Sequence, residues 1–267
     1  MRRGHCEFPV PNSFIILTFH ALDELGSATS FSPHLFKQGM AELYERGYKT
    51  LSISDAVECL RRDTPFPERS FAITFDDGYQ SVYGEAFPIL QRYDFSATVF
   101  LTVGANGKAA DTERFPPMCE RSMLNWREVK EMHRSGIAFG GHTLTHPDLT
   151  LLPDEQIEAE VVGGKVAIED ALGTPVETFA YPFGRYNDRC RKLVSHHFFC
   201  ACSDRLGLLS KTSDPYAMER VDSYYLRNLS LFSALHTKTF AFYIRARGIP
   251  RQMRRAVEPY INKHICP

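Results

Sequence analysis

The chain has 267 residues, of which 43% are hydrophobic and 24% are charged, and this balance is typical of a globular protein in water. Its length fits one large α/β domain or two small ones. The formal net charge of −1 argues against a general nucleic-acid-binding protein.

β-rich runs and helical patterns alternate along the first half of the chain. The helix at 32–47 opens with a serine N-cap and a proline and ends at a glycine, and the next helix is expected to begin at an N-cap Ser54. In chain order we predict a strand at 13–20, a helix at 32–47, a short strand and then a helix within 48–63, a strand at 69–75, a helix at about 81–92 and a strand at 96–103. Residues 104–122 are rich in glycine, proline and charge, which predicts a loop.

The alternation continues through the second half. We predict a helix at 125–136, a strand followed by a loop within 137–146, a helix at 152–173, a strand that leads into a turn at 176–184, a helix at 187–197 and a strand at 198–204. The helix at 152–173 contains an internal Gly163-Gly164 pair. Such alternation indicates a largely parallel sheet with crossover helices, but it does not distinguish a closed barrel from an open, doubly wound sheet.

A basic segment follows residue 226. Between Arg227 and Lys263 there are eight lysines and arginines against a single acid, Glu258. This segment could contact a membrane surface or an anionic substrate, or it could form a solvated helix face.

The seven cysteines do not form a recognisable framework. Their number is odd and no pair has zinc-ribbon spacing, so we expect neither a set of disulfides nor a structural zinc site. Cys200 and Cys202 would lie on one face of a strand, which is typical of core packing. The apolar run at 14–19 is too short for a signal peptide, and no stretch approaches the ~20 apolar residues of a membrane span. The expectation is a reduced, cytoplasmic protein.

Two adjacent carboxylates, Asp76 and Asp77, follow the strand at 69–75 and precede Gly78. Aspartate and glycine both favour turns, so a simple turn is one interpretation. In parallel α/β folds, however, functional groups collect at the carboxyl ends of strands. Polar partners at a second strand end would therefore favour a chemical role.

His142 and His146 follow the strand within 137–146 and supply such partners. Pro147 biases His146 toward an extended backbone, so the pair is expected on a loop and not on a helix face. One carboxylate and two imidazoles are a common ligand set for catalytic zinc or a related divalent ion, which lowers the pKa of bound water toward ~7. We therefore predict that one aspartate binds a metal and that the other accepts a proton.

Three motifs resemble those of a known enzyme family. The stretches TFDDG at 74–78, HTLTH at 142–146 and AYPFG at 180–184 are similar, in order and spacing, to the first three motifs of the NodB-type polysaccharide deacetylases of carbohydrate esterase family 4. The resemblance runs from about residue 13 to about residue 226. It implies an α/β fold, a distorted (β/α)7 barrel. We assign a catalytic domain to residues 1–226 and a basic helical extension to residues 227–267. The resemblance also implies metal-dependent hydrolysis of N-acetyl groups on an N-acetylated sugar or polysaccharide.

The same resemblance assigns roles to individual residues. Asp76 would be the general base, and Asp77, His142 and His146 would hold a divalent metal, for which zinc is the first candidate. The backbone N–H of Phe183 would donate to the developing oxyanion, a role that requires placement and no particular side chain.

The chain departs from the family pattern at two points. The third motif often begins with an arginine that orients the base, but Ala180 stands here. Arg220 could replace it from a later strand end, or it could form a surface ion pair. The family's fifth motif, Leu-x-His, supplies a general acid, and His236 offers one without the required spacing. His20, at the end of the first predicted strand, is either an alternative active-site histidine or a core residue.

Three alternatives to a polysaccharide deacetylase stay open. A cyclic amide or ureide hydrolase of the same superfamily would use similar ligands on another carbonyl. A catalytically silent barrel could bind a glycan or a protein partner, and the missing arginine and acid motif suggest it. A lipid-linked sugar is a further candidate substrate, suggested by the basic segment after residue 226.

Overall fold

The protein folds as a closed barrel of parallel strands surrounded by helices. The computed structural model describes residues 13–104, 118 and 121–249. In chain order its strands are β1 (Ser13–Phe19), β2 (Ala21–Leu22), β3 (Ser30–Phe31), β4 (Lys49–Thr50), β5 (Ser70–Phe75), β6 (Thr98–Leu101), β7 (Ala138–Gly141), β8 (Thr178–Ala180), β9 (Cys200–Leu206), β10 (Leu209–Ser210) and β11 (Met218–Asp222). Its helices are α1 (Pro33–Glu45), α2 (Ile53–Arg61), α3 (Phe87–Tyr93), α4 (Trp126–Arg134), α5 (Asp154–Leu172), α6 (Asp188–His197), α7 (Leu229–Ser233) and α8 (238–249).

Strand β1 closes the barrel because it pairs in parallel with two other strands. Ile15 lies opposite Phe71 of β5 on one side, and Leu17 lies opposite Val221 of β11 on the other. The remaining neighbours follow in the order β5-β6-β7-β8-β9-β11, so seven strands of the described chain complete the ring. The (β/α)7 barrel implied by the family resemblance is therefore confirmed, and the open sheet is excluded.

The barrel strands are apolar on both faces. Residues 14–17 and 19 of β1 are fully buried, because one set of side chains packs inside the ring and the other packs under the helices. Cys200 and Cys202 of β9 are free thiols that pack with Phe14 and Ile16 in one apolar cluster. The core-packing role expected for these two cysteines is confirmed.

The serine predicted to cap α1 does so, but the serine predicted to cap α2 does not. Ser32 caps α1 and accepts the N–H of Leu35, as predicted. The prediction that Ser54 caps α2 is wrong, because Ser52 Oγ accepts the N–H of Asp55 at 3.0 Å and Ser54 already lies in the first helical turn. The Ser-Ile-Ser pattern allows either serine to cap, and the chain leaves β4 early enough for the first of them to do so.

The C-terminal described residues pack on the barrel. Phe232 of α7 and Phe240 and Ile244 of α8 are buried in the main core cluster. Of the basic segment, residues 250–267 lie outside the described residues, as do most of residues 104–122, so the domain division at residue 226 stays a proposal. No helix in 13–104 or 121–249 combines the length and hydrophobicity that a bilayer crossing requires.

Candidate active site

Asp76 and Asp77 reach the same cavity because the backbone turns sharply after β5. Asp77 has a φ of 75° and Gly78 a φ of 85°, so two consecutive residues are left-handed. A Cβ atom on Gly78 would lie 2.8 Å from Cδ2 of Leu101, which explains the glycine. Adjacent residues of a regular strand would point in opposite directions, and the turn removes that restriction.

Three potential metal ligands converge at the carboxyl ends of β5 and β7. Oδ1 of Asp77 lies 3.3 Å from Nε2 of His142 and 3.4 Å from Nε2 of His146, and the two Nε2 atoms are 3.2 Å apart. In a tetrahedral site with metal–ligand bonds of about 2.0–2.1 Å, ligand atoms lie about 3.3 Å from one another. These side chains therefore fit a divalent ion, and within the described part of the chain they are the group that could hold one.

His142 is held in the tautomer that a metal site requires. Its Nδ1 lies 2.7 Å from the carbonyl oxygen of Ala180. Because a carbonyl can only accept, Nδ1 carries the proton and donates it, and the lone pair of Nε2 faces Asp77 and His146. The loop position predicted for His146 is confirmed, but its φ of 62° is left-handed and not extended, and its N–H donates to Thr143 Oγ1.

The charges of this group suit metal binding. Burial alone raises the pKa of Asp77, but the hydrogen bond with His142 and the neighbouring histidines hold that pKa well below its usual range. Burial and the charge of His142 lower the pKa of His146 to about 4. At neutral pH, Asp77 is therefore ionised and His146 is neutral, the forms that coordinate a cation. Burial lowers the pKa of His142, but the aspartates outweigh it and raise that pKa overall, so a metal competes there with a proton.

Asp76 is paired with a buried arginine. Arg220 of β11 donates from Nη1 to Oδ1 and from Nη2 to Oδ2 of Asp76, each at 2.8 Å, and from Nε to the carbonyl oxygen of Ser203 at 2.9 Å. Both partners are 4% exposed, so the alternative of a surface ion pair is wrong. Burial raises the pKa of Asp76, but the Arg220 guanidinium outweighs burial and holds that pKa below its usual range. The Asp76 carboxylate is therefore ionised at neutral pH.

His20 and Phe183 complete the walls nearest to the aspartates. His20 follows β1, and its Nε2 lies 3.8 Å from Oδ2 of Asp76. Phe183 has a φ of 55°, and its half-exposed ring meets the ring of His146 edge-on at 4.6 Å between centroids. Both residues line a cavity of about 520 Å³ that also contains the two aspartates, His142, His146 and Arg220.

His236 lies at the opposite end of the barrel. Its Nε2 is 2.9 Å from the carbonyl oxygen of Ser70 and its ring stacks on Tyr48. Ser70 begins β5 and Asp76 follows the end of that strand, so His236 lies about 20 Å from the cavity. The structure does not bring His236 to the site, and the general-acid role expected for it is a wrong prediction. Its spacing relative to the other motifs was the signal against it.

Two further carboxylates that were not predicted as site residues line the cavity. Asp204 lies near the carboxyl end of β9 and Asp222 ends β11. Both obey the strand-end rule that selected Asp76. Asp204 ends the strand predicted at 198–204, so the rule could have found it there, whereas finding Asp222 required β11 to be predicted as a barrel strand.

Comparisons with known proteins agree with this geometry. A sequence profile described as polysaccharide deacetylase matches residues 63–199, just over half of the chain. The chain is 28% identical over 212 residues to the protein YxkH of Bacillus subtilis (strain 168), across 79% of this chain and 71% of YxkH. It is 32% identical over 146 residues to the poly-β-1,6-N-acetyl-D-glucosamine N-deacetylase of Escherichia coli (strain K12), across 51% of this chain but 22% of that enzyme.

A solved structure extends the agreement to the whole barrel. The Streptococcus pyogenes deacetylase PplD, in complex with acetate, superposes with a TM-score of 0.71 at 25% identity and covers 79% of this chain and 92% of that chain. The profile match, the closed barrel and the three motifs at its carboxyl end point to the same family. The chain belongs to the polysaccharide deacetylase family of NodB-type carbohydrate esterases, and it is a hydrolase that acts on amide C–N bonds.

Proposed function

We propose that this protein is a metal-dependent N-deacetylase of N-acetylated amino-sugar polymers, with poly-β-1,6-N-acetylglucosamine as the first candidate substrate. One observation carries the proposal: an ionised Asp76, held by Arg220, lies in the same cavity as the converging Asp77, His142 and His146. The named activity of the E. coli relative supports the substrate class, although the chain spans about a fifth of that enzyme.

Asp77, His142 and His146 would hold the metal, and zinc is the first candidate because two imidazoles and one carboxylate leave a tetrahedral ion an open position. When bound, such an ion supplies an acidified water molecule and polarises the amide carbonyl. Other first-row metals bind similar ligand sets.

Asp76 would accept the proton of the attacking water. Both of its oxygens already accept from Arg220, but a carboxylate has about four lone-pair positions, so the remaining ones can face the cavity. The water oxygen bonds to the acetamide carbon, and the N–H of Phe183 would donate to the oxyanion that forms.

His20 would donate the proton that the leaving amine needs. It lies 3.8 Å from Asp76 and lines the same cavity, whereas His236 lies at the far end of the barrel. The C–N bond then breaks, the sugar nitrogen takes the proton from His20, and acetate and a free amine are the products.

The first test measures metal and acetate together. Purified protein should contain about one divalent ion per chain, and it should release acetate from β-1,6-linked N-acetylglucosamine oligomers. His142→Ala should lose both the ion and the activity, because it removes one of three ligands. Elemental mass spectrometry and an acetate assay provide the two measurements.

The same assay distinguishes the alternatives. Cleavage of cyclic amides without acetate release from any acetylated sugar would favour the ureide-type hydrolase. Binding of the oligomers without acetate release, in protein reconstituted with zinc, would favour a silent barrel. Either result contradicts the proposed activity.

The role of His20 has its own test. His20→Gln should lower the turnover of N-acetyl substrates by about 10²–10⁴-fold, because glutamine cannot deliver a proton to the amine. Hydrolysis of an activated aryl acetate, whose leaving group needs no proton, should fall far less. His236→Gln is the matched control and should leave both rates near those of the unmodified protein. An equal loss on both substrates would show that His20 acts in some way other than as the acid.

A further inference from the structure

The loop that joins the two ligand histidines has an unusual backbone. Thr143 has a φ of 69° and His146 a φ of 62°, and residues with side chains rarely adopt this left-handed region. Such conformations persist only where surrounding contacts impose them. The loop therefore depends on a support outside the ligands themselves.

Glu160 of α5 provides hydrogen-bond acceptors for this loop. Its Oε2 accepts the backbone N–H groups of Leu144 and Thr145, both at 2.9 Å, and its Oε1 accepts the Thr145 hydroxyl at 2.6 Å. One carboxylate thus binds two successive residues between His142 and His146, and hydrogen bonds to a charged acceptor are stronger than neutral ones.

The glycine pair of α5 lies on the same helix face as Glu160, three and four residues further on. A Cβ atom on Gly164 would lie 3.0 Å from the carbonyl carbon and 3.1 Å from the oxygen of Thr143, and one on Gly163 would lie 2.7 Å from Cδ1 of Leu144. Glycine in a helix interior is unfavourable, so a close approach of another segment is a physical reason for it. The pair lets the helix backbone approach the loop closely enough for Glu160 to reach it.

We infer that α5 is a template for the metal-binding loop, and that Glu160 is a positioning residue that sets metal affinity. Through its three hydrogen bonds Glu160 orders the loop before the ion arrives, so that His146 meets His142 and Asp77 at the observed separations. The inference rests on the proposed metal site and is independent of which sugar is the substrate.

The test measures metal affinity in the full chain. Glu160→Ala should weaken zinc binding by about 10–100-fold, the usual effect of removing a residue that orients metal ligands. Competition with a chromogenic chelator gives the dissociation constant. Glu158→Ala, an exposed glutamate on the same helix, is the matched control and should bind zinc as the unmodified protein does.

A conservative variant of Glu160 distinguishes a loss of loop positioning from a general loss of protein stability. Glu160→Gln should recover most of the affinity, because its amide oxygen can accept the two backbone N–H groups and its amide nitrogen can donate to the Thr145 hydroxyl. The visible absorption of the cobalt-substituted protein, which reports ligand geometry, should change in Glu160→Ala and be retained in Glu160→Gln.

Each outcome bears on the inference. Unchanged zinc affinity in a folded Glu160→Ala, or an equal loss in Glu158→Ala, would overturn it while leaving the proposed function intact. Failure of the unmodified protein to bind zinc or cobalt would instead overturn the metal site itself. If Glu160→Ala does not fold without metal, Gly164→Ala carries the test, since its methyl group pushes against the Thr143 backbone and should cause a similar loss of affinity.

Discussion

Asp76→Asn should lower turnover by about 10²–10⁴-fold while the protein keeps its metal, because an asparagine amide cannot accept the proton of the attacking water. Asp76 is not within the converging group formed by Asp77, His142 and His146. Acetate release from N-acetylated oligomers measures the first effect, and elemental analysis of the purified variant measures the second.

Asp77→Asn is the matched comparison, since it makes the same chemical change one residue along the chain. It should lose metal, because Oδ1 of Asp77 is the carboxylate oxygen that lies 3.3–3.4 Å from both histidine Nε2 atoms. Metal loss in Asp76→Asn with retention in Asp77→Asn would show that the two roles are reversed. Circular dichroism is needed as a control, because Asp76→Asn leaves Arg220 without its counter-charge.

The strand ends could be predicted because their signal is local. Apolar runs that end in Asp76-Asp77 and in His142 identify two barrel strands and their carboxyl ends, and parallel topology brings such ends together. The contribution of Arg220 could not be predicted in the same way. It meets Asp76 only because β1 pairs with both β5 and β11, and no periodicity in the sequence specifies that closure.

The support of the metal-binding loop was also outside what the sequence pattern could show. The Gly163-Gly164 pair was visible as an irregularity inside a helix, but its partner, the loop that begins at Thr143, starts twenty positions before Gly163 in the chain. A left-handed φ at Thr143 has no signature in a single sequence, because side-chain residues adopt it only under tertiary constraint. Local chemistry therefore predicts the candidate ligands, and packing determines their geometry.

Arg220→Met should lower the free energy of unfolding by about 3–5 kcal/mol at neutral pH, because it leaves the Asp76 carboxylate buried without a counter-charge. Both residues are 4% exposed, and two hydrogen bonds of 2.8 Å join them. Urea denaturation of the metal-free proteins measures the difference. The double variant Asp76→Asn/Arg220→Met removes both charges and should recover much of the loss, and a double variant as unstable as the single one would contradict the account.

The stability difference should depend on pH in a defined direction. In the unmodified protein, Arg220 holds the pKa of Asp76 below its unfolded value, so the stabilisation is present above about pH 4 and is lost as the pH falls through the lower, folded-state pKa. In Arg220→Met, burial is opposed only by the charges of His20 and His142, and we expect burial to outweigh them and to raise the pKa of Asp76. The folded variant then binds the proton more tightly than the unfolded chain, and its stability falls as pH rises. The difference in the free energy of unfolding between the unmodified protein and Arg220→Met should therefore increase from about pH 4 to about pH 7.

Arg220→Lys separates the charge of Arg220 from its geometry. A lysine ammonium keeps the positive charge near Asp76 but cannot contact both carboxylate oxygens in the planar arrangement of a guanidinium. We expect this variant to retain more stability than Arg220→Met and yet to lose turnover, because Asp76 would be ionised but no longer held in one orientation. Full turnover in Arg220→Lys would mean that Asp76 needs only a nearby positive charge. Arg220 would then act on the pKa of Asp76 and not on the orientation of the Asp76 carboxylate.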